Sequence, residues 1–120
     1  MKSSKVLVVD DEAGIRQLFH DALTRRGYGV TPANDGIEAQ KCARSEKYDL
    51  VFLDIKMPGL DGIATLRALR RQNPDILVVM MTGHASDQEI VKALDNGAFV
   101  CLNKPFSVRQ ILDTVKMLTS

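Results

Sequence analysis

The sequence predicts an α/β domain, an open and doubly wound five-stranded parallel sheet in the order 2-1-3-4-5 with five flanking helices. Three observations predict it. Four short, continuous apolar runs read as strands covered on both faces, as in a parallel sheet. Segments of helical period lie between them, so strand and helix alternate along the whole chain and imply right-handed crossovers. A fifth, alternating run contains Pro32. Proline cannot donate to a strand ladder, so that run belongs on a sheet edge.

The elements follow in order. Residues 6–9 (Val-Leu-Val-Val) form the first strand, and Ile15, Leu18, Phe19 and Ala22 then mark one face of a first helix. Residues 28–33 are the edge strand and 36–45 the second helix. Residues 50–53 (Leu-Val-Phe-Leu) are the third strand, followed by a helix over 62–71. The fourth strand covers 76–81, and Ile90, Val91 and Leu94 share one face of the next helix. Residues 99–102 (Phe-Val-Cys-Leu) are the last strand, and Val108, Ile111, Leu112 and Val115 give the last helix its apolar face. Gly27, Asn73-Pro74 and Asn96-Gly97 sit where three of the helices stop. Five strands do not close the eightfold barrel, which leaves the open sheet.

Composition narrows the function. The 120 residues make one domain, 1–120, with 16 basic residues against 15 acidic ones and a net charge of +1. That balance speaks against a surface built to neutralise nucleic acid phosphates, so no direct nucleic acid contact is expected. The longest apolar runs are too short to span a bilayer, and no secretory signal precedes the first strand. Cys42 and Cys101 lack CxxC spacing. A cytoplasmic domain without membrane contact is expected.

What each apolar run ends in suggests the chemistry. The first ends in Asp10-Asp11-Glu12, the third in Asp54 and the fourth in Thr82, and the last reaches Lys104 through Asn103. In a sheet of this order the site lies beyond the carboxyl ends of strands one and three, where the winding reverses. Singly, each residue also fits a bland role: Asp11 as a helix cap, Asp54 as the opening of a turn, Thr82 as a loop start, Lys104 as a solvated cation. Together, at four matching strand ends, they point to one pocket. Two unit charges ~4 Å apart interact by about 4 kcal/mol at an effective dielectric near 20, so crowding Asp10, Asp11 and Asp54 raises a pKa or recruits a cation. Hard oxygen ligands with room for water suit Mg²⁺, with Lys104 opposite to neutralise a phosphoryl group arriving at Asp54. A carboxylate can itself be the nucleophile, forming an aspartyl-phosphate.

Over its whole length the chain resembles a response regulator receiver domain of two-component signal transduction. The resemblance rests on Val6-Leu-Val-Val-Asp-Asp-Glu12, Leu53-Asp-Ile-Lys-Met-Pro-Gly-Leu-Asp-Gly62, Met81-Thr-Gly-His84, and Gly97-Ala98 leading to Leu102-Asn-Lys-Pro-Phe106. It implies a flavodoxin-like receiver fold with Asp54 as phosphoacceptor. It also implies a Mg²⁺ or Mn²⁺ ion served by Asp10, Asp11, Asp54 and the main-chain carbonyl of Lys56. Thr82 and Lys104 would contact the phosphoryl oxygens, and a cis peptide would join Lys104 to Pro105. The side chains of Lys56 and His84 would bias how quickly water removes the phosphoryl group. The implied partners are a sensor histidine kinase or phosphotransfer protein and a dimer mate or effector on the face made by helix 4, strand 5 and helix 5.

Cys101 departs from the family pattern, which places Tyr or Phe three residues before the lysine. A thiol cannot fill or vacate the cavity of a swinging ring, and Cys101 reads as a small core residue on the last strand; Cys42 reads as core filling and His20 as surface. Three rival functions fit the residues less well. An aspartate-nucleophile phosphatase needs a second acid two residues after the nucleophile, where Lys56 stands. Dinucleotide binding needs GxGxxG after the first strand, where Asp10-Asp11-Glu12 would repel the anion. A non-phosphorylated interaction module draws its main support from Cys101 and is opposed by the complete set of pocket residues.

Overall fold

Every apolar run becomes a strand and every periodic segment a helix. The computed structural model describes residues 4–57, 61–83 and 85–119. Its elements are β1 (Lys5–Val9), α1 (Ala13–Thr24), β2 (Gly29–Ala33), α2 (Gly36–Ser45), β3 (Leu50–Asp54), α3 (Gly62–Gln72), β4 (Leu77–Thr82), α4 (Asp87–Asp95), β5 (Val100–Asn103) and α5 (Val108–Thr119). The strands are parallel in the order β2-β1-β3-β4-β5. Pro32 lies on edge strand β2 opposite Val8 of β1, where its missing N–H removes no central ladder bond.

Period-two alternation divides the central strands between two apolar layers. Leu7, Val9, Val51, Leu53, Val78 and Met80 pack with Ala39, Ile63, Leu66, Leu69 and Ala93 of α2, α3 and α4. Val6, Val8, Leu50, Phe52, Val79 and Met81 pack with Phe19 and Leu23 of α1 and Ile111 and Val115 of α5. Phe19 lies against Phe52 with ring centroids 4.7 Å apart and meets Phe106 edge-on at 5.8 Å. Burial on both faces is why these strands read as unbroken apolar runs.

Helix ends follow local chemistry. Asp35 and Asp61 cap α2 and α3 by accepting from the Glu38 and Ala64 N–H groups, and Ser86 with Glu89 forms a full capping box on α4. Gly27 and Gly97 take φ of +88° and +99° after α1 and α4, a region favourable to glycine. Gly62 begins α3 so close to the end of β3 that a Cβ there would stand 2.6 Å from Ile55 Cα.

One bland reading and two expectations are corrected. The bland reading of Asp11 as a helix cap is not met; Glu12 holds the N-cap position of α1 without a side-chain cap bond, and its own N–H donates to Asp10 Oδ1 at 2.9 Å. The apolar face expected of α4 is largely solvent-exposed: Val91 is 55% and Leu94 44% accessible, and the small Ala93 makes the buried contact. The last strand starts one residue later than predicted, leaving Phe99 ahead of it and 55% exposed. Among the described residues no helix is long and apolar enough to cross a membrane.

Candidate functional site

Register brings the strand ends to one rim. Val9 of β1 lies opposite Leu53 of β3, and Asp54 opposite Met81, so Asp10, Asp54 and Thr82 leave adjacent strands at nearly the same height. Thr82 in turn pairs with Asn103, which delivers Lys104. Asp10, Asp54 and Thr82 are buried, an arrangement tolerated only where such groups find partners.

Lys104 supplies the central partner. Its ammonium donates to Asp10 Oδ2 at 2.7 Å and to Asp54 Oδ2 at 3.1 Å, and lies 3.9 Å from Glu12. Asp10 Oδ1 accepts the Glu12 N–H at 2.9 Å, and Asp54 Oδ1 accepts the Lys56 N–H at 3.1 Å. Arg16 on α1 donates to the Asp10 carbonyl at 2.7 Å. Thr82 Oγ1 accepts the Ala85 N–H at 2.8 Å, which ties the loop after β4 to its strand. The Lys104–Pro105 peptide is cis, as expected.

These contacts set the protonation chemistry. Burial pushes the Asp54 carboxyl above its ordinary 3.8; the Lys104 hydrogen bond opposes this and the nearby Asp10 charge adds to it. Burial alone would lower the Lys104 ammonium, but its hydrogen bonds to Asp10 and Asp54 prevail and raise it above 10.5. Lys104 therefore stays charged while Asp54 carries a carboxylate poorly compensated for its depth.

Around this core lies a cavity of about 590 Å³, lined by Asp11, Glu12, Asp54, Lys56, Thr82 and Lys104 among others. Among the described residues, Asp10, Asp11 and Glu12 each place a carboxylate oxygen within 4.8 Å of the other two. Three hard oxygens with two residues open to solvent suit a small divalent cation that keeps several waters.

The structure thus gathers Asp10, Asp11, Asp54, Lys56, Thr82 and Lys104 at one rim. His84 lies outside the described residues, as do residues 58–60 of the Leu53-to-Gly62 stretch. Cys101 is half-buried, stands opposite Met80 and packs against the layer beneath α3 and α4; burial pushes its thiol up. Cys42 packs against the same layer, and His20 is exposed. Three participants were missed. Glu12 belongs to the acidic cluster, which its place in the run Asp10-Asp11-Glu12 signals. Arg16 and Glu89, the latter 3.5 Å from the Lys56 ammonium, left no local signal because each acts across a turn or loop.

Known proteins carry the same pattern. The family model for the response regulator receiver domain matches residues 6–116. Sporulation initiation phosphotransferase F of Bacillus subtilis is 36% identical over 116 residues, covering 97% of this chain and 94% of the relative. The alkaline phosphatase synthesis transcriptional regulatory protein PhoP of the same organism is 41% identical over 97% of this chain, which spans only 48% of that relative. Among solved structures, chemotaxis protein CheY4 of Vibrio cholerae superposes with a TM-score of 0.91 at 32% identity, covering 98% of this chain and 99% of that one. A response regulator from Burkholderia pseudomallei, solved with a phosphorylated aspartic acid, a calcium ion and citrate, has a TM-score of 0.85 at 33% identity, covering 92% of this chain and 65% of that one. Matched over nearly all its length by the family model and by these relatives, the chain belongs to the response regulator receiver domains of two-component phosphorelay signalling.

Proposed function

We propose that residues 1–120 act as one phosphoacceptor domain, in which Asp54 takes a phosphoryl group from a phosphohistidine on a sensor histidine kinase or phosphotransfer protein. The observation that carries this reading is the position of Asp54. It is a buried carboxylate with one oxygen on Lys104 and the other on a backbone N–H, facing a cavity open to solvent. An Asp54 oxygen attacks phosphorus in line; the P–N bond to the donor imidazole breaks as the P–O bond forms, and the imidazole takes up a proton. Lys104 lies within reach of both Asp10 and Asp54, and so turns from carboxylate to phosphoryl oxygen without leaving the pocket. Thr82 uses its Oγ1 as acceptor toward Ala85, which leaves its O–H to donate to the product. Asp10, Asp11, Asp54 and the Lys56 carbonyl would hold Mg²⁺ or Mn²⁺, with Glu12 beside them, and such an ion would neutralise charge on the transferring group. The Burkholderia relative, titled with a phosphorylated aspartic acid and a calcium ion, supports this assignment by similarity.

The domain is a switch rather than an enzyme with turnover of its own, operating in the cytoplasm. The side chain two residues after Asp54 is Lys56, which pairs with Glu89 and offers no acid for a phosphatase's leaving group. Cys101, as a small residue against the core, replaces the aromatic element of the family switch and leaves Thr82 and the loop after β4 to carry the change. The lifetime of the phosphoryl group is set by the side chains of Lys56 and His84. Readout uses the face of α4, β5 and α5, where Val91, Leu94, Phe99 and Val108 are exposed, toward an effector or a second copy.

Incubation with acetyl phosphate and Mg²⁺ followed by intact-mass measurement tests the reading. The wild type gains one phosphoryl group, while Asp54→Ala and chelator-treated wild type gain none. Equal gain in Asp54→Ala refutes Asp54 as acceptor.

A further inference from the structure

Lys56 stands on the wall between two cavities. On one side is the acidic pocket of about 590 Å³ that holds Asp11, Glu12 and Asp54. On the other is a cavity of about 450 Å³ between the loop after β3 and α4, lined by Met57, Asp61, Glu89 and Lys92 among others. The Lys56 backbone is pinned, since its N–H donates to Asp54 Oδ1 at 3.1 Å. Only the rotamers of its four-carbon stem decide which cavity receives the ammonium. In the structure it lies 3.5 Å from Glu89 Oε1.

Glu89 is well placed to hold it. The same Oε1 accepts the Ser86 N–H at 3.0 Å, as part of the capping box that starts α4. The Ser86 N–H and the Lys56 ammonium thus meet at one oxygen of the Glu89 carboxylate. A carboxylate already ordered by the helix end loses little further entropy on pairing. Asp61, the other acid of this cavity, is engaged as the cap of α3 through the Ala64 N–H at 2.7 Å.

We propose that Glu89 is a positioning residue for Lys56. Its carboxylate parks the Lys56 ammonium against the first turn of α4 and outside the acidic pocket, leaving Asp11, Glu12 and Asp54 available to a divalent cation. Without Glu89 the ammonium swings toward those carboxylates and competes with the cation for them. The inference rests on the reading of the acidic pocket given above.

Glu89→Gln isolates the effect, because glutamine still serves at the third position of a capping box and only the charge is lost. Mg²⁺ alone is titrated calorimetrically into the wild type, Glu89→Gln, Lys56→Gln and the double variant. Glu89→Gln weakens Mg²⁺ binding by about three- to fivefold, the range an exposed ion pair allows. In the Lys56→Gln background the same change alters binding by less than about twofold, because the competitor is gone. Equal weakening in both backgrounds overturns the proposal, since it is what mere loss of a negative charge near the pocket gives. A second readout needs no metal: in protein with ¹³C-methylated lysines, Glu89→Gln shifts the Lys56 resonance. An unmoved resonance overturns the proposal. A wild type that takes up no Mg²⁺ contradicts the reading of the pocket, and the lysine resonance then decides the role of Glu89 by itself.

Discussion

Asp54 is held in a state that folding does not favour. Its carboxyl is raised above 3.8 mainly by burial, so the folded form penalises the charge that the unfolded chain carries freely. The penalty is present in full above the folded pKa and is relieved as pH falls through that value toward 3.8. Asp54→Asn should therefore stabilise the protein at pH 7 in urea unfolding, and the gain should shrink as pH falls through the same window. The substitution keeps Lys104 on Asp10 at 2.7 Å, so no buried cation is orphaned. A variant less stable than wild type at pH 7 would show that the Lys104 bond outweighs the burial of Asp54. Asp10 and Asp54 were legible in the sequence because each directly ends an apolar run, Asp11 because it adjoins Asp10, and Lys104 because it follows the last run through Asn103. Glu89 was not, since its tie to Lys56 joins the first turn of α4 to the loop after β3, which only the folded sheet brings together.

At the scale of elements, the junction of β3 and α3 is the tightest part of the site. A methyl at Gly62 would press on the backbone of Asp54 and Ile55, which cannot give way as a flexible side chain does. Gly62→Ala is expected to cost about 1–3 kcal/mol in urea unfolding and to shift the amide resonances of Asp54 and Lys56. Unchanged stability would show that α3 can slide away from β3. Strands were the most legible elements, because burial on both faces writes them as continuous apolar runs. The face of α4 was misread: period alone finds Ile90, Val91 and Leu94, but packing close to the neighbouring layer favours the small Ala93 and leaves Val91 and Leu94 exposed. Asp11 was open to reading as a cap because residue type alone does not fix where α1 begins, and the helix starts one residue later, with Glu12 at its N-cap.

For the whole molecule, sheet order converts local pattern into function. The order β2-β1-β3-β4-β5 puts the winding reversal beside β1 and β3, and so brings Asp10 together with Asp54. The same fold leaves Val91, Leu94 and Phe99 uncovered on or beside α4 and β5. Phe99→Ser combined with Leu94→Ser should leave phosphorylation by acetyl phosphate intact while reducing phosphorylation-dependent self-association at least about threefold in sedimentation velocity. Undiminished association would move the readout to another face. The account stands or falls on where the phosphoryl group goes. Borohydride reduction of the protein treated with acetyl phosphate and Mg²⁺, followed by peptide mass mapping, reads this directly: the reduced residue should be Asp54 alone. A mark on Asp10, Asp11 or Glu12, or on no aspartate at all, would contradict it.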